Sequence, residues 1–135
     1  MTDTVFTKII NRELPGHFVY EDDLCVVIVD RFPALKGQTM VIPKEPVPYV
    51  FDLPDETYTH LFAIAKKIAI ASDSAFDAVR TCLVVEGLDV PHVHIKIYPL
   101  RTEETSLAKE MINVAEASEE TMAQIATQLQ AALNR

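Results

Sequence analysis

The stretch VPHVHIKIYP, residues 90–99, constrains this chain more than any other. Its large polar side chains, His92, His94 and Lys96, alternate with Val93, Ile95 and Ile97, and successive side chains on a strand point to opposite faces. The alternation predicts a strand whose apolar set packs under helices while the three nitrogen-bearing side chains project together from the other face. At roughly 3.3 Å of rise per residue, successive members of the trio stand about 6.6 Å apart, so one phosphate can touch two of them. Alternating polar residues on a half-exposed strand are ordinary, and the pattern alone does not establish chemistry. Two imidazoles at i and i+2 can share a zinc ion, but a catalytic zinc needs a third ligand and an ammonium group is a poor one. A nucleophilic role is chemically sounder. A neutral imidazole is available at about pH 7, and a fixed cation beside it keeps it unprotonated and attracts an anionic phosphate.

The rest of the chain supplies a sheet for that strand. VFTKIINRELPG predicts a short helix, with Val5, Phe6, Ile9 and Ile10 at helical spacing and a Pro15-Gly16 turn closing it. FVYEDDLCVVIVD reads as two strands around the acidic turn Glu21-Asp22-Asp23, the second continuously apolar and therefore central. Pro33 and Gly37 mark a loop, and QTMVIP is a third strand stopped by Pro43. Pro54, Asp55 and Glu56 open a long helix with Tyr58, Leu61, Phe62, Ala65, Ile68 and Ala69 as its buried stripe. CLVVEG and HVHIKIYP give two more strands around Gly87, and SEETMAQIATQLQAALNR is a helix with Met122, Ile125, Leu129 and Leu133 along one side. The expectation is an α+β fold with about five strands in a mainly antiparallel sheet and two to three helices. One domain spans residues 1–135, with residues 101–135 as a helical C-terminal part. His60 reads as a solvated helix residue and His17 as a turn residue.

Composition narrows the function. With 135 residues, 49% of them apolar, the chain can bury one real core. Its net charge of −8 opposes long-range attraction to polyanions, so neither nucleic acid nor an anionic membrane is expected as a partner. Cys25 and Cys82 lie in apolar segments without CxxC spacing and read as core thiols. No apolar run is long enough to cross a bilayer, and Lys8, Arg12 and Glu13 interrupt the N-terminal apolar positions, unlike a secretory signal. A cytoplasmic protein is expected.

The residues also resemble a known family. VPHVHIKIYP is similar to the histidine-triad (HIT) motif, H-φ-H-φ-H-φ-φ with φ apolar, including the flanking Val-Pro and the following proline of many bacterial members. TVFTKIINRELPGHFVYEDD resembles the family's opening IF-x-KI-x-x-x-E-IP and VYEDD, and VVIVDRFPALKGQTMVIPKE resembles its central strand, D-x-x-P turn and GHTLVIPK stretch. The resemblance spans roughly residues 4 to 100 and is nearest to the bacterial Hint-like branch. It implies a HIT-like fold, a purine nucleotide or nucleotide conjugate as ligand, no cofactor, and a homodimer. His94 inherits the nucleophile that attacks the α-phosphate, and His92 an orienting part. Val5, Phe6, Ile9, Ile28 and Met40 would line the nucleoside pocket, and Asp30 would hold the ribose hydroxyls.

Several positions depart from the family pattern. Lys96 stands where the third histidine belongs, Gln38 replaces the histidine of GHT, and Leu88-Asp89 occupy places near the phosphates. Thr4 and Thr7 stand where several members have cysteines of a structural zinc site, so no metal is expected. The implied activity is hydrolysis or nucleotidyl transfer at the α-phosphate of phosphoramidates or dinucleoside polyphosphates through a nucleotidyl-His94 intermediate, with Lys96 as electrostatic stabiliser. Two alternatives stay open: a nucleotide-binding module whose chemistry is impaired, and a nucleophilic Lys96 that forms a lysyl-nucleotide.

Overall fold

Five antiparallel strands form one open sheet in the computed structural model, which describes residues 3–103, 105–112 and 114–134. They are β1 (Phe18–Glu21), β2 (Cys25–Val29), β3 (Thr39–Pro43), β4 (Arg80–Val84) and β5 (Ile95–Leu100), in the order β1-β2-β3-β5-β4. Among the described residues four α-helices accompany them, α1 (Val5–Ile10), α2 (Asp55–Phe76), α3 (Leu107–Glu110) and α4 (Glu119–Leu133), with a 3-10 turn at Val50–Asp52 before α2. The class is α+β, with one helix more than expected. α3 is four residues long and buries none of them, so no apolar period announces it.

The strand alternation divides the interior. Cys25, Val27, Val29, Val41, Val93, Ile95 and Ile97 join the larger core with α2 and α4. Val26, Ile28, Met40 and Ile42 point the other way and form a smaller cluster with Phe6 of α1. All five β2 residues are buried because helices cover both sides of that strand, which is why its sequence is continuously apolar. α2 lies across β3, β5 and β4, and α4 across β1 and β2.

Details differ from the sequence reading in ways that have local causes. Pro54 caps α2 from outside instead of opening its first turn, and the buried stripe turns toward Ile64, Ala71 and Phe76, leaving Tyr58, Phe62 and Ala69 half-buried. α1 ends at Ile10, where the backbone leaves the helix and Arg12 takes a positive φ of 62°. Gly37 has φ of 91°, and a Cβ there would lie 2.8 Å from the Phe76 ring, so the loop entering β3 passes Phe76 only without a side chain. β5 starts at Ile95, so His92 and His94 precede the strand. Their approach is still pinned, since the Val93 N–H donates to the Val47 carbonyl at 2.8 Å. Among the described residues no helix is long and apolar enough to cross a membrane. Arg135, the last residue of the expected C-terminal helix, lies outside the described residues.

Candidate functional site

The face that carries α1 holds a cavity of about 580 Å³, a size that suits a nucleotide-sized ligand. Val5, Phe6 and Ile9 of α1, Ile28 of β2, Met40 of β3 and Asp30 line it, together with His94, Lys96 and Asp89. These residues come from four separate segments. The turn after α1, Leu14 to His17, adds to the lining with Arg31, Phe32 and Val114.

The two histidines have different surroundings despite their equal spacing. His92 is fully buried, and it does not line the cavity. Its Nε2 lies 2.8 Å from the Pro43 carbonyl oxygen, which can only accept, so Nε2 carries the hydrogen. Nδ1 then accepts from the Thr4 hydroxyl at 2.8 Å. That hydroxyl oxygen in turn accepts from the backbone N–H groups of Phe6 and Thr7 at the start of α1. Burial lowers the His92 pKa, and the neighbouring His94 adds to the effect against the Pro43 hydrogen bond. His92 is therefore a neutral, fixed ring with both nitrogens committed.

His94 has one nitrogen left. Its Nδ1 donates to the His92 carbonyl at 2.8 Å, so Nε2 presents its lone pair at the cavity. Asp89 Oδ1 stands 3.7 Å from Nε2, beyond hydrogen-bond distance, and a carboxylate oxygen accepts and has no hydrogen to give to that lone pair. The ring packs edge-on against Phe6, with centroids 4.9 Å apart, and Phe6 meets His92 in the same way at 5.7 Å. One α1 side chain thus holds both imidazoles on the same face. Lys96 sits two residues on, between cross-strand partners Met40 and Val84, half-buried and lining the cavity. The expected row of three projecting side chains is corrected in this respect: His92 is turned inward, and His94 and Lys96 reach the cavity.

Gln38 is placed differently from the phosphate vicinity assigned to it. It is buried outside the main cavity, its Nε2 donating to Asp30 Oδ2 at 2.6 Å while its Oε1 accepts from the N–H groups of Ala34 and Leu35. The other Asp30 oxygen accepts from Phe32 N–H at 2.9 Å. Gln38 thus fixes the carboxylate and the D-x-x-P loop together. Thr4 is the group that sequence reasoning undervalued. A threonine just before an apolar helical run, with Thr7 three residues on, is a visible capping signal, and both halves of that cap are present.

Two other histidines are also engaged. His17 Nε2 lies 2.5 Å from Glu119 Oε2, and Arg31 pairs with the other oxygen of Glu119, tying the start of α4 to the cavity wall. His60, expected to be solvated, bonds Asp22 Oδ2 at 2.6 Å. Asp22, Cys25 and His60 are the one grouping among the described residues with metal-ligand atoms within 4.8 Å, and Cys25 faces the core opposite to the cavity.

A buried imidazole with one free nitrogen, at the wall of an apolar cavity beside a cation, is chemically suited to holding an anion or to covalent catalysis. The chain belongs to the HIT domain family, whose sequence profile matches residues 11–103. An uncharacterised HIT-like protein of Borreliella burgdorferi is 34% identical over 106 residues, covering 73% of this chain and 76% of that one. Adenosine 5'-monophosphoramidase HNT1 of Saccharomyces cerevisiae is 30% identical over 104 residues, covering 76% of this chain and 66% of the yeast protein. A Hit-like protein of Bartonella henselae, solved with an unknown ligand, superposes with a TM-score of 0.84 at 29% identity and 96% coverage of both chains. A histidine triad family protein of Mycobacterium smegmatis, described as zinc-bound, gives a TM-score of 0.79 at 25% identity, covering 96% of this chain and 92% of that one. The surroundings of His92 do not fit zinc, because Thr4 and Thr7 offer neutral hydroxyls and Thr4 is already committed to the ring.

Proposed function

We propose that this chain binds a purine nucleotide conjugate and cleaves it at the α-phosphorus, with phosphoramidates as the first substrates to try. The observation that carries the reading is His94, whose Nδ1 is spent on a carbonyl and whose Nε2 lone pair faces a nucleotide-sized cavity. Similarity to adenosine 5'-monophosphoramidase HNT1 supports the choice of bond. In the first step Nε2 attacks phosphorus, the bond to the leaving group breaks, and a nucleotidyl-His94 forms. The positive charge that develops on the ring is stabilised through Nδ1–H by the His92 carbonyl. Lys96, standing where the family's third histidine belongs, balances the phosphate charge and gives a proton to a departing amine. Water then attacks phosphorus, the bond to Nε2 breaks, and the mononucleotide leaves. Asp30, held by Gln38 and Phe32 N–H, keeps lone pairs for the ribose hydroxyls.

The chain works as a homodimer in this reading. β4 is an edge strand, and Leu83 on it, Val79 just before it and Ile70 of α2 expose large apolar side chains that a second copy would cover. A second reading, binding without turnover, is favoured by Asp89, whose carboxylate stands near the attacking nitrogen and opposes an anionic phosphate. The test is a fluorogenic adenosine phosphoramidate with the parent chain, His94→Ala and Lys96→His. Turnover by the parent, its loss in His94→Ala, and an acid-labile nucleotide adduct on His94 by mass spectrometry support the hydrolase. AMP binding without turnover, with turnover gained in Lys96→His, marks an impaired site, and an adduct on Lys96 transfers the nucleophile to it.

A further inference from the structure

We infer that Asp89 selects the leaving group: the reacting end of the cavity favours conjugates whose departing amine carries a positive charge and disfavours polyphosphate leaving groups. The inference rests on the hydrolase reading and adds a substrate class to it. Gly87, with φ of 77°, turns the β4–β5 connection so that Asp89 follows on the rim. Its Oδ1 accepts from Val90 N–H at 3.0 Å and stands 3.7 Å from His94 Nε2, while the side chain remains 66% exposed. A reacting phosphorus comes within about 3–3.5 Å of the attacking nitrogen. A phosphorus at that distance brings the Asp89 carboxylate close to the reacting centre, where its charge acts on the group that leaves. Among the described residues no lysine or arginine lies within ion-pair distance of Asp89, so its charge is not already spent on one.

Other charges sharpen the asymmetry. Lys96 lines the same cavity and meets the non-bridging phosphate oxygens, whereas Glu86 lies three residues before Asp89 on the same connection. Tyr98, two residues beyond Lys96, has its phenol pushed up to about 12 by burial, with Asp30, Glu86 and Asp89 adding to the effect. One cation suffices for the single charge of a phosphoramidate diester-like group. A pyrophosphate or nucleoside diphosphate leaving group brings further negative charge against Asp89, and the second cation on the cavity lining among the described residues, Arg31, is already paired with Glu119. The chemistry of departure agrees. As the phosphorus–nitrogen bond breaks, the amine nitrogen takes a proton from the Lys96 ammonium, and the attacking water later returns one to Lys96. A phosphate leaving group needs no such proton.

The experiment compares the adenosine phosphoramidates of agmatine, butylamine and γ-aminobutyrate, whose linkages match and whose tails are cationic, neutral and anionic, in the parent chain and Asp89→Asn. The expected kcat/KM falls about tenfold from the cationic to the anionic tail, the ratio shrinks as salt rises, and it largely disappears in Asp89→Asn. Binding of the same conjugates to His94→Ala, with and without Asp89→Asn, is measured in parallel. Turnover that is blind to tail charge, or a ratio unchanged in Asp89→Asn, overturns the inference and leaves the hydrolase reading standing. Charge-dependent binding that Asp89→Asn abolishes, without any turnover, overturns the hydrolase reading and leaves Asp89 only as a group that discriminates bound conjugates by charge.

Discussion

Replacing Thr4 by valine keeps the side chain's shape and removes one hydroxyl, and that hydroxyl serves two partners. As the N-cap of α1 it accepts from Phe6 and Thr7 N–H, and losing a side-chain cap costs ~1 kcal/mol. As a donor it satisfies His92 Nδ1 on a fully buried ring, and an orphaned buried acceptor costs about 2 kcal/mol. The sum, about 3 kcal/mol, is a large part of the 5–15 kcal/mol on which domains of this kind stand, a typical range of about that size. Thr4→Ser keeps the oxygen and loses one methyl, so it should cost ~1 kcal/mol or less. Urea unfolding of the parent and both variants, fitted with a common slope, reads the difference from the midpoints. A second readout follows from position. His92 holds the carbonyl that fixes the His94 ring, so Thr4→Val should lower kcat more than it raises KM on a phosphoramidate. If Thr4→Val is as stable as Thr4→Ser, the hydroxyl contributes neither the cap nor the hydrogen bond to His92 that these energies assume, and the reasoning fails.

Other expectations follow from the same contacts. Phe6→Ala, which removes a buried ring touching both imidazoles but bordering open cavity, should cost ~3 kcal/mol in urea unfolding and loosen AMP binding. Gln38→Leu deprives Asp30 of its 2.6 Å partner and two loop N–H groups of theirs, and should lower stability by about 2 kcal/mol and weaken ribonucleotide binding by calorimetry. Because burial lowers the His92 pKa, the unfolded chain takes a proton that the folded ring refuses. The stability this contributes is fully present above about pH 6.5 and is lost as pH falls through the lower folded value. Urea midpoints at successive pH values should show that decline, and it should shrink in His92→Asn. Asp22 is held well below the usual carboxylate range by hydrogen bonds from Tyr20, His60 and two backbone N–H groups, which outweigh its burial. Its contribution therefore persists above about pH 4 and disappears only in stronger acid, so His60→Ala should raise the pH of acid unfolding.

The sequence carried the sheet because a period of two converts directly into faces. Val93, Ile95 and Ile97 stand on the core side their alternation predicts, while Val26, Ile28, Met40 and Ile42 gather on the other face. Cavity-lining residues on α1, β2 and β3 were legible once a family resemblance said which apolar residues border a ligand, since hydrophobicity alone does not separate a pocket wall from a core. Polar partnerships were not legible. Gln38 and Asp30 lie eight residues apart, His60 and Asp22 38, and His17 and Glu119 102, and no local period encodes such meetings. Charge and spacing named the titratable groups without saying what each would face.

The paired histidines show what that missing layer decides. His92 and His94 share residue type and period in the local pattern, and in the structure they share burial and an edge contact with Phe6 as well. Their difference lies in hydrogen-bond accounting. The Pro43 carbonyl and the Thr4 hydroxyl occupy both nitrogens of His92, whereas the His92 carbonyl occupies only one of His94. A ring with no lone pair to offer is a strut, and a ring locked by one nitrogen with the other turned to a cavity can act on a ligand. The approach to β5 begins this division by leaving strand pairing before Ile95, which frees the His92 carbonyl from the ladder to accept from the neighbouring ring. In a regular strand that carbonyl would be directed to β3 or β4, and the alternation alone could not have produced one anchored and one available imidazole.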